Sequence, residues 1–95
     1  IPEGCVGLVF IRSSMARKGL SLSNAVGVID SDYRGELKLC LEFCSELDGP
    51  EEIELKRGER VAQLVILPYA SPTINIVDSL DDTERGSGGF GSTGN

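Results

Sequence analysis

Residues 34–43, RGELKLCLEF, decide the fold class of this chain. Leu37, Leu39, Leu41 and Phe43 alternate with Glu36, Lys38, Cys40 and Glu42. A side-chain period of two puts one set on each face of an extended segment, so the stretch predicts a half-buried β-strand. Residues 22–29, LSNAVGVI, read as a second strand, and the polar Asp30-Ser31-Asp32 between them is turn chemistry, which predicts a hairpin.

The same signal recurs on both sides. Residues 5–11, CVGLVFI, bounded by Pro2 and Gly4, predict a buried strand. Residues 46–52, ELDGPEE, read as an acidic loop, 53–55 predict a short strand, and 61–67 an apolar strand stopped by Pro68. Residues 73–77, TINIV, alternate again. Residues 12–20, RSSMARKGL, allow one short helical turn capped by Ser13 or Ser14 and ended at Gly19. No stretch has the spacing of a long amphipathic helix, so the chain is predicted to be all-β, a barrel or a sandwich. The core is expected over 1–77 and a flexible glycine-rich arm over 78–95.

Composition narrows the function. Ninety-five residues make at most one domain. A chain this short buries roughly 60–65% of its unfolded surface, so it gains from association. The net charge of −6 argues against a general nucleic-acid or membrane binder, both of which call for a basic face. No apolar run reaches membrane-spanning length. The absence of histidine removes Ser-His and Cys-His nucleophilic pairs and the commonest metal ligand. Three cysteines, Cys5, Cys40 and Cys44, make an odd count that fits a reducing compartment, which points to the cytoplasm. The sequence opens on Ile1-Pro2-Glu3-Gly4 without a methionine, and residues upstream of it are expected.

Four stretches could carry chemistry. The first is Arg85–Asn95, RGSGGFGSTGN, which is five-elevenths glycine. It lacks the lysine of a P-loop, but successive glycines let backbone N–H groups converge on an anion. Arg85 can contact a phosphate and Phe90 can stack on a base. A flexible terminus without a role is the plain alternative. The second is Gly27–Glu36, where a carboxylate on a hairpin, Asp30, could activate a water and Tyr33 could floor a sugar pocket. A surface turn is the alternative. The third is Arg12-Ser13-Ser14, a cation and two hydroxyls at a possible helix start, suited to an oxyanion or serving only as a cap. The fourth is Gln63, a lone amide in an apolar strand, either a satisfied core amide or a ligand group.

Their order and spacing closely resemble the trimeric dUTPases (deoxyuridine triphosphate nucleotidohydrolases). Of that family's five ordered motifs, the second matches Arg12–Ala16, the third Asn24–Glu36, the fourth Gly58–Leu64 and the fifth Arg85–Gly94. The first, Ala-Gly-x-Asp-Leu, does not occur in the chain, and its aspartate helps hold magnesium through water in the family. The resemblance implies a jelly-roll, β-clip barrel and a homotrimer with sites at subunit junctions. It implies hydrolysis of dUTP to dUMP and pyrophosphate by water attack on the α-phosphorus, with Mg2+ carried by the substrate's phosphates. That reaction supplies dUMP for dTMP synthesis and keeps uracil out of DNA.

By motif matching, Asp30 would be the base and Tyr33 would pack under the deoxyribose. Asn24 and the hairpin backbone around Gly27 would read the uracil edge. Arg12, Ser13, Ser14 and Gln63 would hold phosphates. Arg85, Gly91, Ser92 and Thr93 would bind the γ-phosphate, and Phe90 would cover the base. The arm would act as a lid: its 18 residues from Asp78 to Asn95 reach ~60 Å extended and roughly 23 Å as a coil, enough to cross to a neighbouring subunit. Two other readings remain: a non-catalytic nucleotide-binding or regulatory module, and a dCTP deaminase-like enzyme, to which Arg12–Leu20 is also similar.

Overall fold

The computed structural model describes residues 1–45, 49, 51–92 and 94. Its elements are β1 (Cys5–Ile11), α1 (Ser13–Ala16), β2 (Leu20–Leu22), β3 (Gly27–Ile29), β4 (Leu41–Phe43) and β5 (Ala62–Pro68). They form two antiparallel sheets, one ordered β3-β1-β5 and one pairing β2 with β4. The architecture is almost all-β, as the alternating patterns predict.

β1 is the central strand and spans the expected residues. All seven of its residues pair with β5, from Cys5 opposite Pro68 to Ile11 opposite Ala62. On its other edge Gly7, Leu8 and Val9 face Ile29, Val28 and Gly27. The small sheet sets Leu20 opposite Phe43 and Leu22 opposite Leu41. Each such apolar cross-strand pair contributes about 0.2–1 kcal/mol. Leu20, Leu22, Val9 and Met15 of α1 are the buried apolar side chains. The core thus lies where α1 and β2 pack beside β1.

α1 begins differently from the expectation. Its N-cap is Arg12, in extended conformation, and no side chain caps the helix; Ser13 and Ser14 are its first two residues. The chain leaves through a turn closed by the Gly19 N–H donating to the Ala16 carbonyl. Gly19 has φ +97°, and a Cβ there would overlap the Cys44 carbonyl. The Cys44 N–H in turn donates to the Gly19 carbonyl at 3.0 Å. Glycine is required on both counts, backbone conformation and close approach.

Several predicted strands are shorter or absent. Of 34–43 only Leu41–Phe43 enters a ladder, and 22–29 splits into the ends of β2 and β3 around a turn at 23–26. The expected hairpin pairs only in part, through β2 and β4, while β3 pairs with β1 instead. Residues 53–55 and 73–77 form no ladder. The reason is that alternation specifies faces, whereas a strand also needs a neighbour for its N–H and C=O groups. Those neighbours are not found among the described residues. Ile74 and Ile76 are 88% and 98% exposed, and Leu64 to Leu67 of β5 are exposed although paired on one edge. The radius of gyration, 19.4 Å, exceeds the roughly 12 Å of a compact chain this long. The acidic loop expected at 46–52 lies partly outside the described residues. No helix among the described residues is long and apolar enough to cross a membrane.

Candidate functional site

The loop between β3 and β4 starts at Asp30. The Tyr33 N–H donates to the Asp30 carbonyl at 3.1 Å, closing a turn. Arg34 Nη1 donates to the Ser31 carbonyl at 2.8 Å and to the Tyr33 carbonyl at 3.0 Å. The Tyr33 hydroxyl donates to the Glu36 carbonyl at 2.5 Å. Gly35 lies under the tyrosine ring, where any Cβ would overlap it. The loop is therefore tied by its own polar groups. Asp30 is left exposed and shares a cavity of about 190 Å³ with Tyr33, Glu36 and Lys38.

A turn at 23–26 leads into β3. Ala25 has φ +63°, a left-handed conformation unusual for a residue with a Cβ. The Ala25 N–H donates to the Leu22 carbonyl at 3.0 Å and the Val26 N–H to the Asn24 carbonyl at 2.7 Å. Asn24 and Gly27 line a cavity of about 90 Å³ with Leu22, Ile29, Lys38 and Leu39.

Arg12 is held to the strand that carries Gln63. Its backbone N–H donates to the Val61 carbonyl at 3.1 Å and its Nη1 to the Arg60 carbonyl at 3.3 Å. Gln63 pairs with Phe10 in the β1–β5 register and is exposed, which excludes a buried core amide. Arg12 and Gln63 line one cavity of about 500 Å³ together with Ile29, Lys38 and Arg60. Ser13 and Ser14 stand exposed on α1 beside Arg12 and line none of these three cavities.

The arm is built of turns. The Gly88 N–H donates to the Arg85 carbonyl, the Ser92 N–H to the Gly89 carbonyl and the Gly94 N–H to the Gly91 carbonyl. Arg85 and Ser92 line a cavity of about 660 Å³ with Thr83 and Glu84. Phe90 is fully exposed at φ +49°. Thr93 lies outside the described residues. Among the described residues the core-side groups and the arm thus line separate cavities.

Two contributors escaped the sequence analysis. Ile29 and Lys38 line all three core-side cavities. Ile29 was read only as strand filler, and Lys38 only as the polar partner in an alternating pattern. Nothing in the spacing distinguishes a solvated lysine from one beside a cavity. Among the described residues no group of three or more Cys, Asp or Glu converges as metal ligands. The donors of the described residues do not by themselves make a metal site.

The family model for dUTPase matches residues 1–94. The chain is 50% identical to a deoxyuridine 5'-triphosphate nucleotidohydrolase of Rhodococcus erythropolis, across 99% of this chain and 56% of that protein. It is 52% identical to that of Corynebacterium glutamicum, across 99% of this chain and 62% of the relative. The chain therefore spans a little over half the length of these relatives. Among solved structures it superposes on Staphylococcus bacteriophage 80alpha dUTPase, a mutant with dUpNHpp, with a TM-score of 0.77 and 32% identity, covering 99% of this chain and 69% of the other. A mutant dUTPase of phage phi11 of S. aureus, described as revealing the coordination of a structural Mg(II) ion, superposes with a TM-score of 0.67 at 28% identity, covering 86% of this chain and 67% of that one. The β-clip, jelly-roll fold is thus the fold of this chain. The chain belongs to the dUTPase family.

Proposed function

We propose that the protein carrying this chain hydrolyses dUTP to dUMP and pyrophosphate. The observation that carries the reading is the self-tied loop Asp30–Glu36, which leaves Asp30 free beside Tyr33 on one small cavity. That cavity shares Ile29 and Lys38 with the cavity of Arg12 and Gln63, which supports reading these residues as parts of one site.

In this reading Asp30 takes a proton from the water that attacks the α-phosphorus. Tyr33, held by its hydroxyl, excludes a ribose 2'-hydroxyl. Asn24 and the backbone at Gly27 meet the uracil edge in the smallest cavity. A pocket that pairs polar groups rejects a base presenting the wrong ones far more strongly than it rejects one methyl group. Arg12, Ser13, Ser14 and Gln63 take the phosphates nearest the core. Arg85, Gly91, Ser92 and Thr93 clamp the terminal phosphate, and Phe90 covers the base. Phosphoryl transfer is mostly positioning and electrostatics, so this set suffices without histidine. Magnesium carried by the substrate's triphosphate would neutralise part of its charge.

Residues 1–77 form the core and 78–95 the lid. Three copies assemble into the active trimer. The exposed Ile74, Ile76, Val77 and Leu80 support association, because so many adjacent apolar side chains are costly in water. Three free cysteines suit a reducing cytoplasm.

The test is pyrophosphate release from dUTP by the full-length protein, with UTP and dCTP alongside. Release from dUTP alone is expected. Binding without release would instead mark a non-catalytic nucleotide-binding protein, and ammonia from dCTP a deaminase.

A further inference from the structure

Of the three arm hydroxyls that the proposed reaction does not use, those of Ser79, Thr83 and Ser87, that of Thr83 closes a turn. Thr83 stands two residues before Arg85. Its Oγ1 accepts the Gly86 backbone N–H at 3.0 Å, and the Thr83 carbonyl accepts the same N–H at 3.2 Å. Side chain and main chain of one residue therefore close the turn 83–86 together. Arg85 lies inside that turn and also opens the next. Its Nε donates to the Gly88 carbonyl at 3.1 Å, and the Gly88 N–H donates back to the Arg85 carbonyl at 3.3 Å. Two overlapping turns thus fix the Arg85 backbone and one edge of its guanidinium. No acceptor among the described residues takes the Nη donors, which are the remaining prongs of a fork suited to phosphate oxygens.

We propose that Thr83 is a positioning residue that presets Arg85 for the terminal phosphate of a nucleoside triphosphate. The proposal rests on the reading that the arm closes over the substrate. Its physical basis is entropic. A glycine-rich segment loses more conformational freedom on ordering than any other, and that loss subtracts from binding. A turn already closed before the substrate arrives reduces it. Thr83 supplies the closure with a β-branched side chain, which has few rotamers to lose. Glu84 lines the same cavity and repels an anion, so Arg85 must be correctly aimed to prevail.

The experiment is calorimetric binding of dUpNHpp and of dUMP to the full-length protein. It compares wild type with Thr83→Val, Thr83→Ser, Arg85→Ala and the Thr83→Val, Arg85→Ala double variant. Thr83→Val removes the acceptor at nearly constant shape and should weaken dUpNHpp about fivefold, the effect of one lost hydrogen bond, while dUMP binding stays unchanged. Thr83→Ser should retain wild-type affinity. With Arg85 already replaced, Thr83→Val should have no further effect. Gly86 amide exchange should quicken in Thr83→Val and not in Thr83→Ser. Unchanged dUpNHpp binding in Thr83→Val, or an equal loss for both ligands, overturns the role of Thr83 while the lid reading stands. A wild type that binds the two ligands equally overturns the lid reading and this proposal with it.

Discussion

The loop Asp30–Glu36 and the arm Asp78–Asn95 are built from similar parts and behave differently. Each holds an arginine that donates to a carbonyl three residues away, Arg34 to Ser31 and Arg85 to Gly88. Each lies near or contains a non-glycine residue with left-handed φ, Ala25 before the loop and Phe90 within the arm. The loop, however, leaves directly from β3, which is anchored on the central strand, and a tyrosine ring is folded over its glycine. The described residues of the arm enter no strand ladder, and Phe90 shows its aromatic ring entirely to solvent. For the proposed reaction this difference means a division of labour: a half of the site preformed on the core, and a half that substrate would have to order.

Breaking the preformed half should cost most. Asp30→Asn keeps the loop's backbone turn but removes the base, and kcat for dUTP should fall about a thousandfold with little change in KM. A variant retaining more than a tenth of wild-type kcat would show that Asp30 is not the base. Truncation after Asp82 removes Thr83–Asn95, the part of the arm that carries the proposed phosphate clamp. It should lower kcat/KM about a hundredfold, since both the phosphate clamp and the exclusion of water are lost. Unchanged turnover would remove the lid from the mechanism and leave the core alone responsible.

Two milder changes sharpen the contrast. Gly35→Ala forces a Cβ into the Tyr33 ring, and should raise KM for dUTP about tenfold while costing about 1–3 kcal/mol of stability by thermal melting. Wild-type KM would mean that Tyr33 can leave its place without consequence. Phe90→Ala touches nothing in the free chain, so its melting temperature should not move. Its KM should rise about fivefold, the value of one stacked ring at about 1 kcal/mol. A shift in stability rather than KM would place Phe90 in the core's packing and not over the base.

Legibility followed the range of the interactions. β1 was readable because its apolar run is long and bounded by Pro2 and Gly4, and Gly19 because a helix end demands a particular backbone. Residues 34–40 carry as clear an alternation as β4, yet they form no ladder, because pairing depends on a partner that a local pattern cannot supply. The same holds for 73–77. In the candidate site, Asp30 and Tyr33 were legible as a short motif. The common cavity of Arg12 and Gln63 was not, because it depends on hydrogen bonds spanning about fifty residues of sequence, from Arg12 to Arg60 and Val61. Ile29 and Lys38 were missed because an ordinary strand position gives no local sign of a neighbouring cavity.

By itself the sequence determined the β class, the family and the order of the functional stretches. The β class rests on periodicity, a property of neighbours in the chain, and the family on the likeness of its ordered motifs to those of the dUTPases. Only the tertiary structure decided which strands find partners, which strand lies along each edge of β1, and that the described residues of the arm and the loop line separate cavities. Those outcomes depend on backbone hydrogen bonds and burial between residues far apart in sequence, and no local pattern encodes them.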